Sequence, residues 1–118
     1  MYSVGIDLLN NNRFEKIKEN ETFMNNTFTE QEIEYIKSKD NYNGTIAGIF
    51  CSKEAFLKAI KKGINNYSLK DIEIIHDENN APYIVVHNEL NSLYANNNIS
   101  VSISHDDNFT TSIVLIEL

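Results

Sequence analysis

The chain has little cysteine, no long apolar run and a shortage of positive charge. Its single cysteine, Cys51, excludes an intrachain disulfide and a zinc site built from several cysteine ligands. No stretch approaches the roughly 20 apolar residues that a bilayer-spanning helix needs, so we expect no membrane segment. The first residues lack a basic segment followed by a long apolar one, which argues against a secretory signal. These absences together predict a cytoplasmic protein.

Acidic residues outnumber basic residues by 17 to 10, and the formal net charge is -7. A surface of this sign repels a phosphate backbone, so it argues against a nucleic-acid partner, although it leaves room for one local anion site. The length of 118 residues predicts a single domain, residues 1–118, whose core needs no disulfide to support it.

Apolar residues recur with two different periods along the chain. A period of two predicts strands over residues 2–7, 71–77, 82–87, 99–105 and 109–118. Helical signals predict helices over residues 10–20, from residue 29 onward and over residues 45–62, with 89–95 as a short helix or a loop. A strand, then helices, then an antiparallel meander is an α+β pattern, and this is the fold class that we expect.

Two local signals predict helix ends. Residues Thr29–Glu32 read TEQE, a capping box in which each of the two end residues satisfies the backbone amide of the other. Gly63 follows the long helical segment and is a natural left-handed terminator, while Lys61 and Lys62 suit the negative end of the helix dipole.

The segment FCSKEAFLKAIKK, residues 50–62, concentrates basic residues around one acid. Lys53, Lys58, Lys61 and Lys62 all lie close to Glu54 along the chain. Two interpretations are open. Glu54 and Lys58 are one helical turn apart and can form an exposed ion pair on a solvated face. Alternatively, the lysines attract a phosphate-bearing ligand, and Glu54 stands among them because that ligand arrives with a metal ion.

A metal ion would need a second acid, and Asp7 is the candidate. It follows Val4-Gly5-Ile6, so the rigid backbone of a strand would fix its position. Magnesium commonly takes one or two carboxylates and keeps several waters, which Asp7 and Glu54 could supply. Asp7 can equally cap the helix that follows it, and spacing alone favours neither interpretation.

These residues belong to a longer series of motifs. The chain has Gly5-Ile6-Asp7, then Arg13 six positions after the aspartate, then AGIFCSKEAFLKA over residues 47–59. It continues with Gly63-Ile64, DIEI over residues 71–74, D-x-x-x-x-P-Y over residues 77–83 and VSISH over residues 101–105. In this order, over nearly the whole chain, the motifs resemble those of the holo-(acyl-carrier-protein) synthase family, the small phosphopantetheinyl transferases.

The resemblance implies an activity and a set of partners. The family transfers 4′-phosphopantetheine from coenzyme A to a serine of apo acyl carrier protein, releases adenosine 3′,5′-bisphosphate and serves fatty acid biosynthesis. It implies a phosphopantetheinyl transferase-like α+β fold, dependence on Mg²⁺, and a homotrimer with sites between subunits.

The resemblance also assigns roles to individual residues. It implies that Asp7 and Glu54 bind magnesium, and that Glu54 and Lys58 are catalytic, with Lys58 on the pyrophosphate. The residues that it places around coenzyme A are Lys58, Gly63 and His105, and we expect Lys62, where the family has a small residue, to join them because its charge partly compensates for charge lost elsewhere. It implies that Arg13 faces the carrier protein. Without the resemblance, His105 beside Asp106 would be interpreted as a turn residue.

Several positions depart from the family pattern. Ile49 stands where the family usually has arginine, Asn80-Ala81 replaces a Gly-Lys pair, Asp106 replaces serine or threonine, and Lys62 replaces a small residue. The first three changes remove positive charge or a donor, or add negative charge. The loss of arginine at Ile49, together with the acidic balance of the chain, motivates an alternative function, a non-catalytic module of the same fold that binds carrier proteins or nucleotides.

Overall fold

The computed structural model describes residues 1–62 and 67–118. The strands are β1 (Tyr2–Asn10), β2 (Ile72–His76), β3 (Pro82–Val86), β4 (Asn98–His105) and β5 (Phe109–Glu117). The helices are α1 (Glu21–Thr27), α2 (Glu30–Lys37), α3 (Tyr42–Ala59) and α4 (Glu89–Tyr94). The predicted α+β class is therefore confirmed. Within the two described ranges, every helix is too short or too polar to cross a membrane.

The strands form two antiparallel sheets. One has the order β1-β5-β4, and the other is the predicted β2-β3 hairpin. The predicted sequential meander is wrong, because β3 and β4 belong to different sheets and β5 pairs on its other side with β1. In the larger sheet, the register puts Asp7 opposite Ser112 and Ser112 opposite Ile103. Residues from the two ends of the chain thus share one row.

Helix α3 lies across the inner face of the larger sheet. Its residues are apolar on most sides, and a helix of this kind belongs in a core rather than on a surface. Phe56 and Ile46 are fully buried, and they join Ile116 of β5 in the main hydrophobic cluster. This packing makes α3 and β1 the rigid elements that carry Glu54 and Asp7.

The outer face of the larger sheet is apolar and exposed. Only the inner face of β1 is buried, since its side chains alternate between the helix and the outside. We call the outward set the outer apolar face; its members are Tyr2, Val4, Ile6, Leu8, Phe109, Ile113 and Leu115. Leu8 is 66% exposed, although leucine is usually a core residue.

The predicted helix over residues 10–20 is wrong. The chain forms two short 3-10 turns there, Asn11–Phe14 and Ile17–Glu19. Asn11 explains the interruption, because its side chain donates to the backbone oxygen of Asp106 at 3.0 Å and accepts from the Thr110 hydroxyl at 2.6 Å. These long-range bonds fix the segment to the β4–β5 turn.

The bounds of α3 differ from the predicted 45–62. The Asn41 side chain caps the helix by accepting from the Gly44 amide, so the helix begins earlier. At the other end, Lys61 adopts the left-handed conformation, with φ of 61°. The Lys61 and Lys62 amides donate to the Lys58 and Leu57 carbonyls, which is a Schellman ending. The predicted terminator, Gly63, lies outside the described residues.

The capping box at Thr29 is confirmed, with both of its reciprocal hydrogen bonds present. Its glutamate has a further partner that the sequence did not suggest. Glu32 Oε1 accepts from Lys53 Nζ at 2.7 Å, and both side chains are fully buried. Lys53 Nζ also donates to the backbone oxygens of Leu69 and Ile72. Lys53 therefore anchors α3 to α2 and β2, and its predicted place in an anion-attracting cluster is wrong.

Candidate active site

Strand β1 and helix α3 touch backbone to backbone at Gly5. A Cβ atom at this position would overlap the Ala55 carbonyl oxygen and lie 2.5 Å from the Ala59 amide nitrogen. Only a glycine permits this approach. The close crossing explains why the Gly5-Ile6-Asp7 motif has glycine two residues before the aspartate.

Asp7 lies against two residues of α3 that are two turns apart. The Cys51 thiol contacts the Asp7 backbone oxygen at 3.3 Å, and Lys58 Nζ donates to Asp7 Oδ1 at 3.0 Å. Glu54 stands between Cys51 and Lys58 on the same face of the helix, since residues three and four apart are neighbours. The fold therefore brings the Asp7 and Glu54 carboxylates together.

The electrostatics agree with this proximity. The pKa of Glu54 is raised above its ordinary value, first by burial and then by the negative charge of Asp7. The positive charges of Arg13 and Lys58 oppose that shift. When one carboxylate raises the pKa of a neighbouring carboxyl group, a cation close to both is favoured because it offsets their repulsion. Lys58 supplies that positive charge here, and it binds Asp7 rather than pairing with Glu54.

The donor set suits a metal ion that keeps its waters. Within residues 1–62 and 67–118, no cluster of three or more histidine, cysteine, aspartate or glutamate side chains could hold a metal ion. The Asp7–Glu54 pair alone would leave most coordination positions to water and ligand oxygens. Magnesium accepts such a site, whereas structural zinc usually takes four protein ligands.

A cavity of about 370 Å³ opens between the N-terminal half of α3 and the ends of β2, β3 and β4. Gly48 and Ile49 of α3 border it, and so do Pro82, Ile103 and His105. Ile103 shares a row with Asp7, two strand spacings away, which is a distance of about 10 Å. Asp7 and Glu54 are not among the described residues that border the cavity, so the two carboxylates lie to one side of it.

The other predicted site residues lie at different places relative to the cavity. His105 borders it, and the predicted role of His105 at the coenzyme stays a prediction. Arg13 is exposed, and its guanidinium lies 5.1 Å from the centre of the Phe50 ring, close enough to influence Glu54. Lys62 is exposed beyond the end of α3. Gly63 lies outside the described residues, so its predicted role stays a prediction.

Three further residues at the cavity were not predicted from the sequence. Tyr35 and His76 stack with their ring centres 4.0 Å apart, and Lys39 Nζ lies 5.0 Å from the Tyr35 ring centre. All three border the cavity. Tyr35 and Lys39 lie close together, on α2 and the loop after it, whereas His76 comes from β2, far along the chain. Only the tertiary packing of α2 on β2 reveals the group.

Comparison with known proteins places this geometry in context. The profile of the 4′-phosphopantetheinyl transferase superfamily matches residues 3–114. A holo-[acyl-carrier-protein] synthase of Fusobacterium nucleatum is 38% identical over 96% of both chains. One from Finegoldia magna is 40% identical, over 97% of this chain and 94% of its own. The crystal structure of the Helicobacter pylori holo-[acyl-carrier-protein] synthase in complex with coenzyme A superposes with a TM-score of 0.83 at 35% identity, covering 97% of this chain and 99% of its own.

Proposed function

The chain belongs to the 4′-phosphopantetheinyl transferase superfamily, and from this premise we propose that it is a holo-(acyl-carrier-protein) synthase. It transfers 4′-phosphopantetheine from coenzyme A to a serine of apo acyl carrier protein and releases adenosine 3′,5′-bisphosphate. The observation that carries this assignment is the meeting of Asp7 with Glu54 and Lys58 of α3, in a fold shared with a synthase solved with coenzyme A. Fatty acid biosynthesis in the cytoplasm is the setting that we propose.

The reaction exchanges one phosphorus–oxygen bond for another. The carrier serine oxygen bonds to the β-phosphorus while the bond from that phosphorus to the bridging oxygen breaks, and the bisphosphate leaves with the electron pair. Charge accumulates on the phosphate oxygens, so positioning and charge neutralisation provide most of the catalysis. We propose Glu54 as the acceptor of the serine proton, because it is the carboxylate on α3 beside Asp7.

We propose that Asp7 and Glu54 hold Mg²⁺. Their two carboxylates fit an ion that keeps waters and takes phosphate oxygens as its remaining ligands. The ion would neutralise charge on the pyrophosphate. Lys58 acts with this pair: its side chain is 55% exposed and reaches Asp7, so it can turn toward a bound pyrophosphate and stabilise the leaving bisphosphate.

The cavity is the place for the nucleoside part of coenzyme A. Apolar side chains on its wall suit a base, and polar groups on its rim suit phosphates. In this proposal His105 contacts the coenzyme from the end of β4, and Lys62 adds positive charge beyond the end of α3. Gly63 follows Lys62 directly and completes the set of coenzyme-binding residues that we propose.

Arg13 is the residue that we propose for docking the acidic carrier protein. It is exposed and lies within electrostatic reach of Glu54, so a carrier bound to it would present its serine close to the carboxylates. The surrounding segment alternates acidic and basic residues. Docking therefore depends on a few basic side chains and should weaken as salt concentration rises.

We propose that residues 1–118 act as one unit that assembles as a homotrimer through the outer apolar face. That face exposes Leu8, Val4 and Ile6 along the whole of β1. An exposed apolar surface of this extent is typical of an interface between proteins. Asp7 lies on the same strand but points to the opposite side, toward α3, so the interface would form across the sheet from the carboxylates.

A mass measurement tests the function. Incubation with coenzyme A, Mg²⁺ and several apo acyl carrier proteins should add one phosphopantetheine group to the carrier. Glu54→Gln should abolish the gain, and Glu34→Gln, an exposed acid on α2, should not. Metal-dependent coenzyme A binding without any mass gain would instead favour a non-catalytic binding module. This is the alternative function, and the absence of arginine at position 49, which is Ile49 here, motivates it.

A further inference from the structure

The cavity has an apolar wall and a polar rim, and these two parts suit different halves of a nucleotide. Ile49, Pro82 and Ile103 supply apolar surface on which a base can lie. Gly44 and Thr45, from the first turn of α3, lie on the rim, where the helix dipole is positive. The wall itself offers no positive charge for a phosphate, since Ile49, the side chain that α3 contributes there, is apolar.

Among the described residues that border the cavity, the one lysine or arginine is Lys39, on the rim. Its Nζ donates to Asn80 Oδ1 at 3.4 Å and lies over the Tyr35 ring, which in turn stacks on His76. Asn80 holds this position because its backbone is left-handed, with φ of 63°, a conformation that asparagine tolerates. The hairpin turn and α2 thus converge on the Lys39 ammonium.

Lys39 decides whether the described lining of the cavity attracts an anion, because no other lysine or arginine there offsets the negative charge of Asp40. Asp40 borders the cavity and carries negative charge, so only a cation can make the lining attractive to an anion. The pKa of His76 is lowered by burial and by Lys39, so its imidazole is neutral near pH 7. Without Lys39, the rim would combine the Asp40 carboxylate with the neutral His76 imidazole, and the negative charge of Asp40 would disfavour a phosphate.

We propose that Lys39, held by Asn80 and Tyr35, is the residue that binds the 3′-phosphate of coenzyme A and makes this enzyme prefer it to the dephosphorylated form. The inference rests on the proposed function and deepens it by naming a specificity residue. A lysine ammonium is a suitable point charge for a phosphate monoester. Lys39 supplies positive charge from the rim, whereas Ile49 on the wall supplies none.

Calorimetric titration of coenzyme A and of 3′-dephospho-coenzyme A, each with Mg²⁺, tests the proposal. Lys39→Gln should weaken coenzyme A about tenfold or more, because a hydrogen bond to a charged group is lost. It should leave the dephosphorylated ligand unchanged. Lys37→Gln, an exposed lysine at the end of α2, loses the same charge away from the cavity and should change neither affinity.

Two further variants separate a binding role from a structural one. Asn80→Gly keeps the left-handed backbone but removes the amide that holds Lys39, so it should weaken coenzyme A selectively and by less than Lys39→Gln does. Lys39→Arg should restore the preference. In turnover assays, Lys39→Gln should raise the KM for coenzyme A and leave kcat nearly unchanged.

The outcomes distinguish a failure of the Lys39 proposal from a failure of the transferase function on which it rests. Equal weakening of both ligands by Lys39→Gln, or of neither, would overturn the role of Lys39 while the transferase assignment stands. A wild-type protein that binds both ligands equally would also overturn it. If the wild-type protein binds neither ligand, the transferase assignment and the role of Lys39 both fall.

Discussion

Replacing Gly5 by alanine should force α3 away from β1. The added methyl group would overlap the Ala55 carbonyl oxygen and lie 2.5 Å from the Ala59 amide nitrogen. Both obstacles are backbone atoms inside a helix, so no side-chain rotation relieves the contact. Overpacking a core commonly destabilises a protein by about 1–3 kcal/mol, and we expect the upper end of that range or beyond.

Gly48→Ala is the matched control. Gly48 is also a buried glycine on the path of α3, but a methyl group there would meet only the Ile103 side chain, at 3.5 Å, an ordinary contact. Alanine is also the better helix former, by about 1 kcal/mol. Gly48→Ala should therefore be neutral or slightly stabilising, whereas Gly5→Ala should be clearly destabilising.

Urea unfolding followed by circular dichroism measures both variants. A loss of 3 kcal/mol corresponds to a fall in Tm of roughly 10 °C or more for a domain of this size. A second readout is the Glu54 pKa, which should fall when the separation of β1 from α3 moves Asp7 away. A Gly5→Ala variant as stable as Gly48→Ala would refute the backbone crossing, and with it the positioning of Asp7.

Three further predictions follow from the same contacts. Lys53→Met should destabilise the protein by about 3–5 kcal/mol in urea unfolding, because it leaves Glu32 charged and buried without its partner. Adding Glu32→Gln should recover part of the loss. A near-neutral Lys53→Met variant would contradict the buried pair. Burial raises the pKa of the Cys51 thiol to about 12, so a thiol reagent at pH 8 should modify it only after unfolding, and rapid labelling of the native protein would count against this packing. In metal-free protein, Asp7→Asn should lower the Glu54 pKa in an NMR titration, since a nearby negative charge that favours the protonated form is removed; a pKa that stays or rises would place the two acids apart.

The sequence predicted the features that depend on local patterns. Strict alternation from Ile99 to His105 identified β4, and the TEQE capping box identified the start of α2. Both signals act through neighbouring residues, so no tertiary knowledge is needed to interpret them. The motif around Glu54 identified the helix that carries the candidate site, although its end at Lys61 was misplaced because a lysine took the left-handed position usually held by glycine.

Features that depend on distant contacts were not predictable. Lys53 stands one residue before Glu54 in a basic segment, yet it points into the core, because its acceptors come from α2 and from the start of β2. The segment after Asn10 looked helical, but Asn11 forms bonds to residues almost 100 positions away. Nothing in either local pattern indicates these partners.

The pairing of Asp7 with Glu54 was predicted only as one of two interpretations of Asp7. The structure favours it through three contacts of β1 with α3: the Gly5 crossing, the Cys51 contact and the Lys58 ion pair. The register of β1 on β5 then fixes the distance from Asp7 to the cavity. Strand register between the first and last segments of a chain cannot be derived from periodicity, because the turn that would set it is absent.

Joint binding of one divalent ion by Asp7 and Glu54 is the claim that the account most depends on. Calorimetric titration of Mg²⁺ in the presence of adenosine 3′,5′-bisphosphate should be compared for Asp7→Asn, Glu54→Gln, the double variant and the Glu34→Gln control. If one ion uses both carboxylates, each single variant should lose nearly as much affinity as the double variant, and the control should bind like the wild-type protein. Strictly additive losses, or a single variant that binds Mg²⁺ as the wild-type protein does, would contradict a shared ion.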